Sequence, residues 1–453
     1  SYDFNGKYLL SGNIRRDGSS KFAPNNRWGT FPSISGGWRI SEEAFFEPLR
    51  NAIPEFKIKA SWGQLGNDKI PNYQYYSTVS AVGSPTLNGS IFTAVAQNRM
   101  ANTTIQWEKT TQTDIGIELE LLNRRILFSA DYYNKKTTDI LVRVPLVSSY
   151  GVGEAPYRNA GEVSNKGYEI SLTYRSAPAS KFSYEISGNI AKVKNKLETL
   201  GVSGSSEIFG SDYKNTYVGR TAEGAPIGHF YVLNALGIYQ SQNEVESYRN
   251  ADGNLIQPLA VAGDVKFQDV NGDGIISAKD RINAGNSFPS LTYALNGSAN
   301  YKGFDMSMLW TGSHGNKIFN GLKYGGVFMQ GATYNNSPEI LNRWTPESPS
   351  STLPRVTIKD LNNNKVYSTL YIEEGSFLRL KYLTFGYTFN ESILKKSAVK
   401  LRVFTSLQNL ITFTKYTGFD PEIGADIESS GNMYGVDRGA YPQAKAFILG
   451  LNF

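Results

Sequence analysis

The side chains best placed to do chemistry are concentrated in one stretch, Asp269-Val270-Asn271-Gly272-Asp273-Gly274-Ile275-Ile276-Ser277-Ala278-Lys279-Asp280. Oxygen-bearing side chains recur at its first, third, fifth, ninth and last places, with glycine at the sixth, which is the spacing of an EF-hand-like cation loop. Asp269, Asn271, Asp273, Ser277 and Asp280 would supply side-chain oxygens, Ile275 its carbonyl, and Ile276 an apolar anchor. The expected occupant is Ca²⁺ or Mg²⁺ in a structural role, because crowded carboxylates repel one another until a cation joins them. Two features weigh against it. Asp280 stands where a bidentate Glu is usual, and no long helix enters the loop. An Asx-rich turn that folds without metal uses the same residues. A second group, Tyr73, Tyr75, Tyr76 and Trp344, falls in long connections. Rings there stack on sugars, pack on a partner, or pack on their own loop.

Nothing in the chain resembles a catalytic constellation. His229 and His314 are its 2 histidines, both isolated from any discernible Ser or Cys partner, and cysteine is absent. Zinc fingers, iron–sulfur clusters, cysteine nucleophiles and disulfide scaffolds are excluded. The segment Ser61–Asn67 ends a strand with turn chemistry, and no phosphate-loop lysine follows. No enzymatic activity is expected. Net charge is +6 with Lys and Arg scattered, so nucleic acid is not an expected partner.

The elements that must position these groups are strands. Charged residues make up 19% of the 453, below the roughly 25% of soluble domains, while 28 Tyr, 24 Phe and 44 Gly favour β-structure. No stretch approaches the ~20 consecutive apolar residues of a spanning helix. Apolar and polar residues alternate with period two: Tyr168, Ile170, Leu172 and Tyr174 oppose Glu169, Ser171, Thr173 and Arg175, and Phe182–Ile190, Leu291–Tyr301, Phe304–Trp310 and Val399–Gln408 repeat the pattern. About twelve strands are predicted, near 7–16, 28–40, 54–65, 107–122, 125–140, 165–175, 181–193, 289–301, 303–312, 376–389, 398–409 and 443–453.

Alternation alone also fits a soluble sandwich. Connection lengths decide between them. Tight turns at Asn123-Arg124, Ser176–Ser180, Lys302-Gly303 and Asn390–Ser397 alternate with long connections at Gly66–Gln106, Leu141–Ser164, Lys194–Pro289 and Leu410–Pro442. Turns on one rim and long loops on the other describe an all-β, transmembrane antiparallel β-barrel of the outer membrane. The Ser41–Ile53 connection is its least regular turn, and the longest loop must hold a hairpin of its own at 217–219 and 227–239. Apolar faces would meet outer-membrane lipid, with Trp38, Trp62, Tyr132 and Phe453 as interfacial anchors. Phe447, Leu449, Leu451 and Phe453 share one such face. Polar faces would line a lumen bearing Lys57, Lys59, Asp114, Glu118, Asp131, Glu169, Arg175, Arg379 and Arg402. Ser1-Tyr2-Asp3-Phe4 lacks the marks of a signal peptide, so the chain reads as the C-terminal part of something longer.

Several blocks, in order along the chain, carry a resemblance. They are Arg16-Asp17-Gly18-Ser19-Ser20-Lys21-Phe22 with Asn26-Arg27-Trp28-Gly29-Thr30-Phe31-Pro32-Ser33, then Gly37-Trp38-Arg39-Ile40-Ser41, then Ala60-Ser61-Trp62-Gly63-Gln64-Leu65-Gly66-Asn67. Trp107-Glu108-Lys109-Thr110-Thr111-Gln112, Asp131-Tyr132-Tyr133-Asn134-Lys135, Asn159-Ala160-Gly161-Glu162-Val163-Ser164-Asn165-Lys166-Gly167-Tyr168-Glu169 and Gly263-Asp264-Val265-Lys266-Phe267-Gln268-Asp269 follow. Together they resemble the SusC/RagA family of TonB-dependent transporters of the Bacteroidota outer membrane. The resemblance implies a barrel of about 22 strands, of which residues 1–453 are about the twelve C-terminal ones. It also implies a plug and TonB box outside this sequence, energy from TonB–ExbB–ExbD through that plug, and a SusD-like surface lipoprotein as a lid. Import of an oligomeric glycan or peptide is the function it suggests. The alternatives are a family barrel serving as a structural subunit of an assembly or secretion machine, and a soluble glycan-binding or adhesive β-protein.

Overall fold

A computed structural model describes residues 1–453 apart from 144–150, 152–153, 179, 202–206, 214–215, 329–334, 351, 390–399 and 424–433. The chain divides into two compact units, one of residues 1–177, 191–207 and 222–225, the other of 178–190, 208–221 and 226–453.

The first unit is an antiparallel meander in which each strand pairs with the next. Tyr2–Phe4, Tyr8–Gly18, Trp28–Arg39, Glu55–Asn67, Glu108–Leu121, Ile126–Thr138 and Glu162–Arg175 follow in that order. Register sorts the faces. One transverse row reads Trp38, Ile58, Ile117, Ala130, Ile170; one residue along, the next reads Gly37, Lys59, Gly116, Asp131, Glu169. Successive side chains of a strand point to opposite faces, so these rows lie on opposite sides. The apolar side is open: Ile115 is 55% exposed and Ile170 42%. A face of Ile, Leu and Tyr turned outward is stable in hydrocarbon and costly in water, at roughly 25 cal/mol per Å². The register itself is set by the turn after Leu121, where Leu122, Asn123 and Arg124 all take left-handed backbone, with φ of 52°, 54° and 64°.

The second unit repeats the design with Leu291–Tyr301, Phe304–His314, Phe377–Thr388, Arg402–Thr414 and Ala446–Asn452, each antiparallel to the next. Phe447, Leu449, Leu451 and Phe453 are all exposed on one face, as their spacing predicts. The strand Phe182–Thr199 runs eighteen residues, six beyond the predicted end, its later part in the first unit. Glu198 there accepts a hydrogen bond from Ser164 at 2.6 Å, which extends the strand past the alternating stretch. The short strand Tyr2–Phe4 is an element that the sequence reading did not include, and Ser41–Ile53 holds two 3₁₀ segments, Ile40–Glu42 and Ala44–Leu49, in place of a simple turn. The predicted Asn390–Ser397 turn lies outside the described residues. Among the described residues no helix is long and apolar enough to cross a membrane.

Buried cores sit in the connections more than in the strands. In the first unit Phe22, Phe31, Ile70, Tyr75, Ile105 and Trp107 pack together. In the second, Phe230, Val232, Phe319, Leu353, Tyr367 and Tyr371 form one cluster, and Leu233, Ile238, Val265, Phe267 and Trp344 another. The hairpin expected within 194–288 is present: Thr216–Ala222 pairs with His229–Leu233 through Gly219 and Phe230. Long connections are therefore folded bodies with interiors of their own.

Candidate functional site

The polar face of the first unit encloses a concavity of about 950 Å³, lined by Lys57, Lys59, Asp114, Asp131, Tyr133 and Glu169 among others. Both of its lysines on Glu55–Asn67 are paired. Lys59 Nζ lies 2.9 Å from Glu118 and 3.0 Å from Asp131, and Lys57 Nζ lies 3.2 Å from Glu118. Asp114 accepts from Ser61 at 3.2 Å and from Gln112 at 2.9 Å. Lys59 and Asp131 are two strands apart, with Gly116 between them in register. A Cβ on Gly116 would sit 2.1 Å from Asp131 Oδ1 and 2.8 Å from Lys59 Cε, so the ion pair occupies the space a side chain would fill. In the second unit Arg402 makes two bonds to Asp305, at 2.8 and 2.5 Å, directly over Gly386, where a Cβ would lie 2.5 Å from both partners. Each of these two faces presents charged donors beside charged acceptors.

Arg379, expected to line a lumen, pairs in register with Thr311, on the same face as Asp305, and is buried there at 3% exposure. It donates to Asp420 at 2.7 Å, to Thr412 at 2.8 Å and to Glu422. Burying a guanidinium without acceptors is prohibitive, so the connection after Thr414 folds back to supply two carboxylates. Asp420 also takes the amides of Gln443 and Glu422, at 2.9 Å each. Burial alone would raise its pKa, but Arg379 and these amides hold it below the ordinary carboxylate range.

The Asp269–Asp280 loop, in the second unit, is closed by hydrogen bonds. Asp269 accepts the amides of Gly272 and Gly274, both at 2.8 Å. Asp273 accepts from the Ile275 amide at 3.0 Å and from Asn271 Nδ2 at 2.8 Å. Asp280 is fully buried and takes the amides of Val270, Asn271 and Ser277 at 2.9, 3.3 and 2.7 Å, with the Ser277 hydroxyl at 3.3 Å. Ser277 and Asp280 form a capping box around the 3₁₀ turn Ala278–Asp280. A carboxylate has about four acceptor positions, so Asp280 has none left for a cation, whereas Asp269 and Asp273 each keep some. Among the described residues no group of three or more His, Asp or Glu converges to hold a metal. Of the expected ligands, Ser277 and Asp280 here serve the backbone. Ile276 does pack on the Val265–Phe267–Trp344 cluster, as its apolar character predicts.

The four aromatic candidates separate. Trp344 is 7% exposed, packed in the same cluster with its Nε1 donating to Gln240 at 3.2 Å, and Tyr75 belongs to the Phe22–Trp107 core. Neither offers a face for stacking, because each connection uses it as interior. Tyr73 and Tyr76 are exposed neighbours, their ring centroids 6.4 Å apart. His229 is buried with Nδ1 3.0 Å from the Pro226 carbonyl, a structural setting. Sequence reasoning missed the pair Asp264–Arg355, where Asp264 is fully buried and meets Arg355 at 2.7 and 3.4 Å, Asn364 at 2.9 Å and the Val261 amide at 2.9 Å. It ties 353–366 to 257–267 across 91 residues, and no local pattern announces it.

Residues 1–410 match the family model described as TonB dependent receptor-like, beta-barrel. The chain is 33% identical to TonB-dependent receptor P3 of Formosa agariphila, covering 100% of this chain and 44% of that protein. It is 27% identical to TonB-dependent receptor SusC of Bacteroides thetaiotaomicron, covering 100% of this chain and 42% of that protein. A solved structure of the RagAB peptide transporter superposes with a TM-score of 0.79 at 25% identity, over 99% of this chain and 46% of that one. The chain therefore spans less than half the length of these relatives.

Proposed function

The chain belongs to the TonB-dependent receptor β-barrel family, in its SusC/RagA branch, a group of outer-membrane proteins that cross the bilayer with strands, and we propose that it forms the C-terminal wall of an active importer of oligomeric nutrients. The observation that carries the reading is the pairing of opposite faces: an exposed apolar face for lipid, and a face of paired charges for a water-filled path. Oligomers of glycan or peptide are the cargo that such a neutral, hydrogen-bonding wall admits. Energy comes from TonB with ExbB and ExbD, acting on a plug held by the rest of the barrel. A SusD-like surface lipoprotein caps the folded connections within 194–288 and 313–375. The likeness to SusC and to the RagAB peptide transporter supports both parts of this reading. The chain itself carries out no covalent chemistry.

The test is growth and uptake. A strain lacking the gene should lose growth on one class of oligomer while keeping growth on its monomer, and a strain lacking TonB should behave alike. Mild detergent extraction should recover a lipoprotein in near-equal amount. Oligomer uptake that persists without TonB would overturn the reading.

A further inference from the structure

Four consecutive residues of the Gly66–Gln106 connection combine features that its own folding does not account for. Tyr73 holds φ at +60°, left-handed backbone that is strained for any residue with a Cβ and more so for a bulky one. Packing does not offset the strain, since the ring is 62% exposed. Instead Arg99 donates to the Tyr73 carbonyl at 3.0 Å and holds the turn in place. Gln74 is 1% exposed, and its Oε1 has no hydrogen-bond partner among the described residues. Tyr75 is buried beneath, its ring centroid 4.3 Å from that of Tyr76, which is itself 55% exposed. A rigid support thus presents two open rings side by side, inclined to each other by 37°.

The surroundings narrow the ligand. From Ile70 to Asn98 the chain has no Asp, Glu, Lys or Arg. Nearby, Asn72 is exposed and Gln97 Nε2 donates to Ser77 Oγ at 2.9 Å, while Arg99, the cation bonded to the Tyr73 carbonyl, has its side chain only 11% exposed and lies 3.7 Å from Glu154. Ionic cargo would find the adjoining Arg99 already engaged by the Tyr73 carbonyl and Glu154, whereas a ring with apolar C–H faces and peripheral hydroxyls matches two open phenol rings flanked by amides and a hydroxyl. We propose that Tyr73 and Tyr76 form a stacking platform that captures a neutral saccharide. The proposal deepens the import reading by choosing glycan over peptide, and rests on it for the placement of the platform at the outer rim.

Tyr73→Gly separates ligand binding from folding. Glycine takes left-handed backbone freely, so the substitution removes the ring and relieves the turn together. The full-length protein in detergent is titrated with hexasaccharides of glucose, mannose, galactose and xylose, with an acidic hexasaccharide as the charged control, and binding is read by calorimetry. At least one neutral series should bind, and Tyr73→Gly and Tyr76→Ala should each weaken it by about tenfold or more. The midpoint of heat unfolding for Tyr73→Gly should equal or exceed that of the parent. Absence of neutral binding, equal binding in both variants, preference for the acidic sugar, or a destabilised Tyr73→Gly would each overturn the platform. Sugar import that continues with unchanged affinity in Tyr73→Gly removes the platform and leaves the importer. Ring-dependent binding without TonB-dependent uptake does the reverse.

Discussion

Replacing Asp280 with Ala removes one acceptor from four donors: the amides of Val270, Asn271 and Ser277 and the Ser277 hydroxyl. A buried amide left without a partner costs about 1–3 kcal/mol. Val270 and Asn271 are exposed residues, so water takes up part of that loss, while Ser277 is half-buried. The loop should therefore lose about 2–4 kcal/mol of local stability. Hydrogen exchange in peptides spanning 268–281 should quicken by about 30- to 1,000-fold, at a factor of ten per 1.36 kcal/mol, with the strand Ile126–Thr138 unchanged. The pH dependence has a definite sign. Burial alone would raise the Asp280 pKa, but the amides of Ser277, Val270 and Asn271 outweigh it and hold the carboxyl below its ordinary range. Its contribution is then fully present above the unfolded value of about 3.9 and is lost as pH falls through the lower folded value. The loop should be equally protected from pH 5 to 8 and loosen below about pH 4. Because these bonds close the loop by themselves, a chelator should leave its exchange unchanged. Wild-type exchange in Asp280→Ala, or exchange that rises on chelation, would refute the reasoning, the latter in favour of the Ca²⁺ or Mg²⁺ expected from the spacing.

Asp264→Ala leaves Arg355 and Asn364 without their buried acceptor and should cost the connection about 2–4 kcal/mol, less than a fully buried pair because the Arg355 side chain is 28% exposed. Faster tryptic cleavage after Arg355, with the barrel still running faster on unboiled gels, is the expected result. Ile170→Arg places a charge on the lipid face and should cost about 2–4 kcal/mol near the bilayer midplane. The fraction of heat-modifiable barrel should fall for Ile170→Arg and hold for Lys59→Met on the polar face; equal fractions would argue against the assignment of faces.

The polar wall was legible in the sequence as far as parity reaches. Lys57, Lys59, Asp114, Glu118, Asp131 and Glu169 fall on one side because side chains alternate, and that needs no knowledge of which strand is the neighbour. Their partners require register. Nothing local says that Lys59 meets Asp131, 72 positions away, because the pairing depends on the left-handed turn at Leu122–Arg124 and on a strand between. In the connections the signal is weaker still. Trp344 and Tyr75 look in sequence like Tyr73 and Tyr76, and only the interior that a long connection builds for itself tells them apart. At Asp280 the residue type identifies an acceptor but not whether amides or a cation satisfy it.

Glycine at the crossing points has a physical reason that composition alone conceals. Strands lie about 4.8 Å apart, so two charges on next-but-one strands are separated by nearly 10 Å of sheet and can meet only above the middle strand. Any Cβ there collides with the pair, at 2.1 Å over Gly116 and 2.5 Å over Gly386. Glycine ordinarily weakens a strand, and a partly exposed ion pair returns only about 0–1 kcal/mol, so stability does not explain the arrangement. Its consequence is electrostatic. Lys59 with Asp131, and Arg402 with Asp305, neutralise each other where they cross and leave each polar face rich in donors and acceptors at that point.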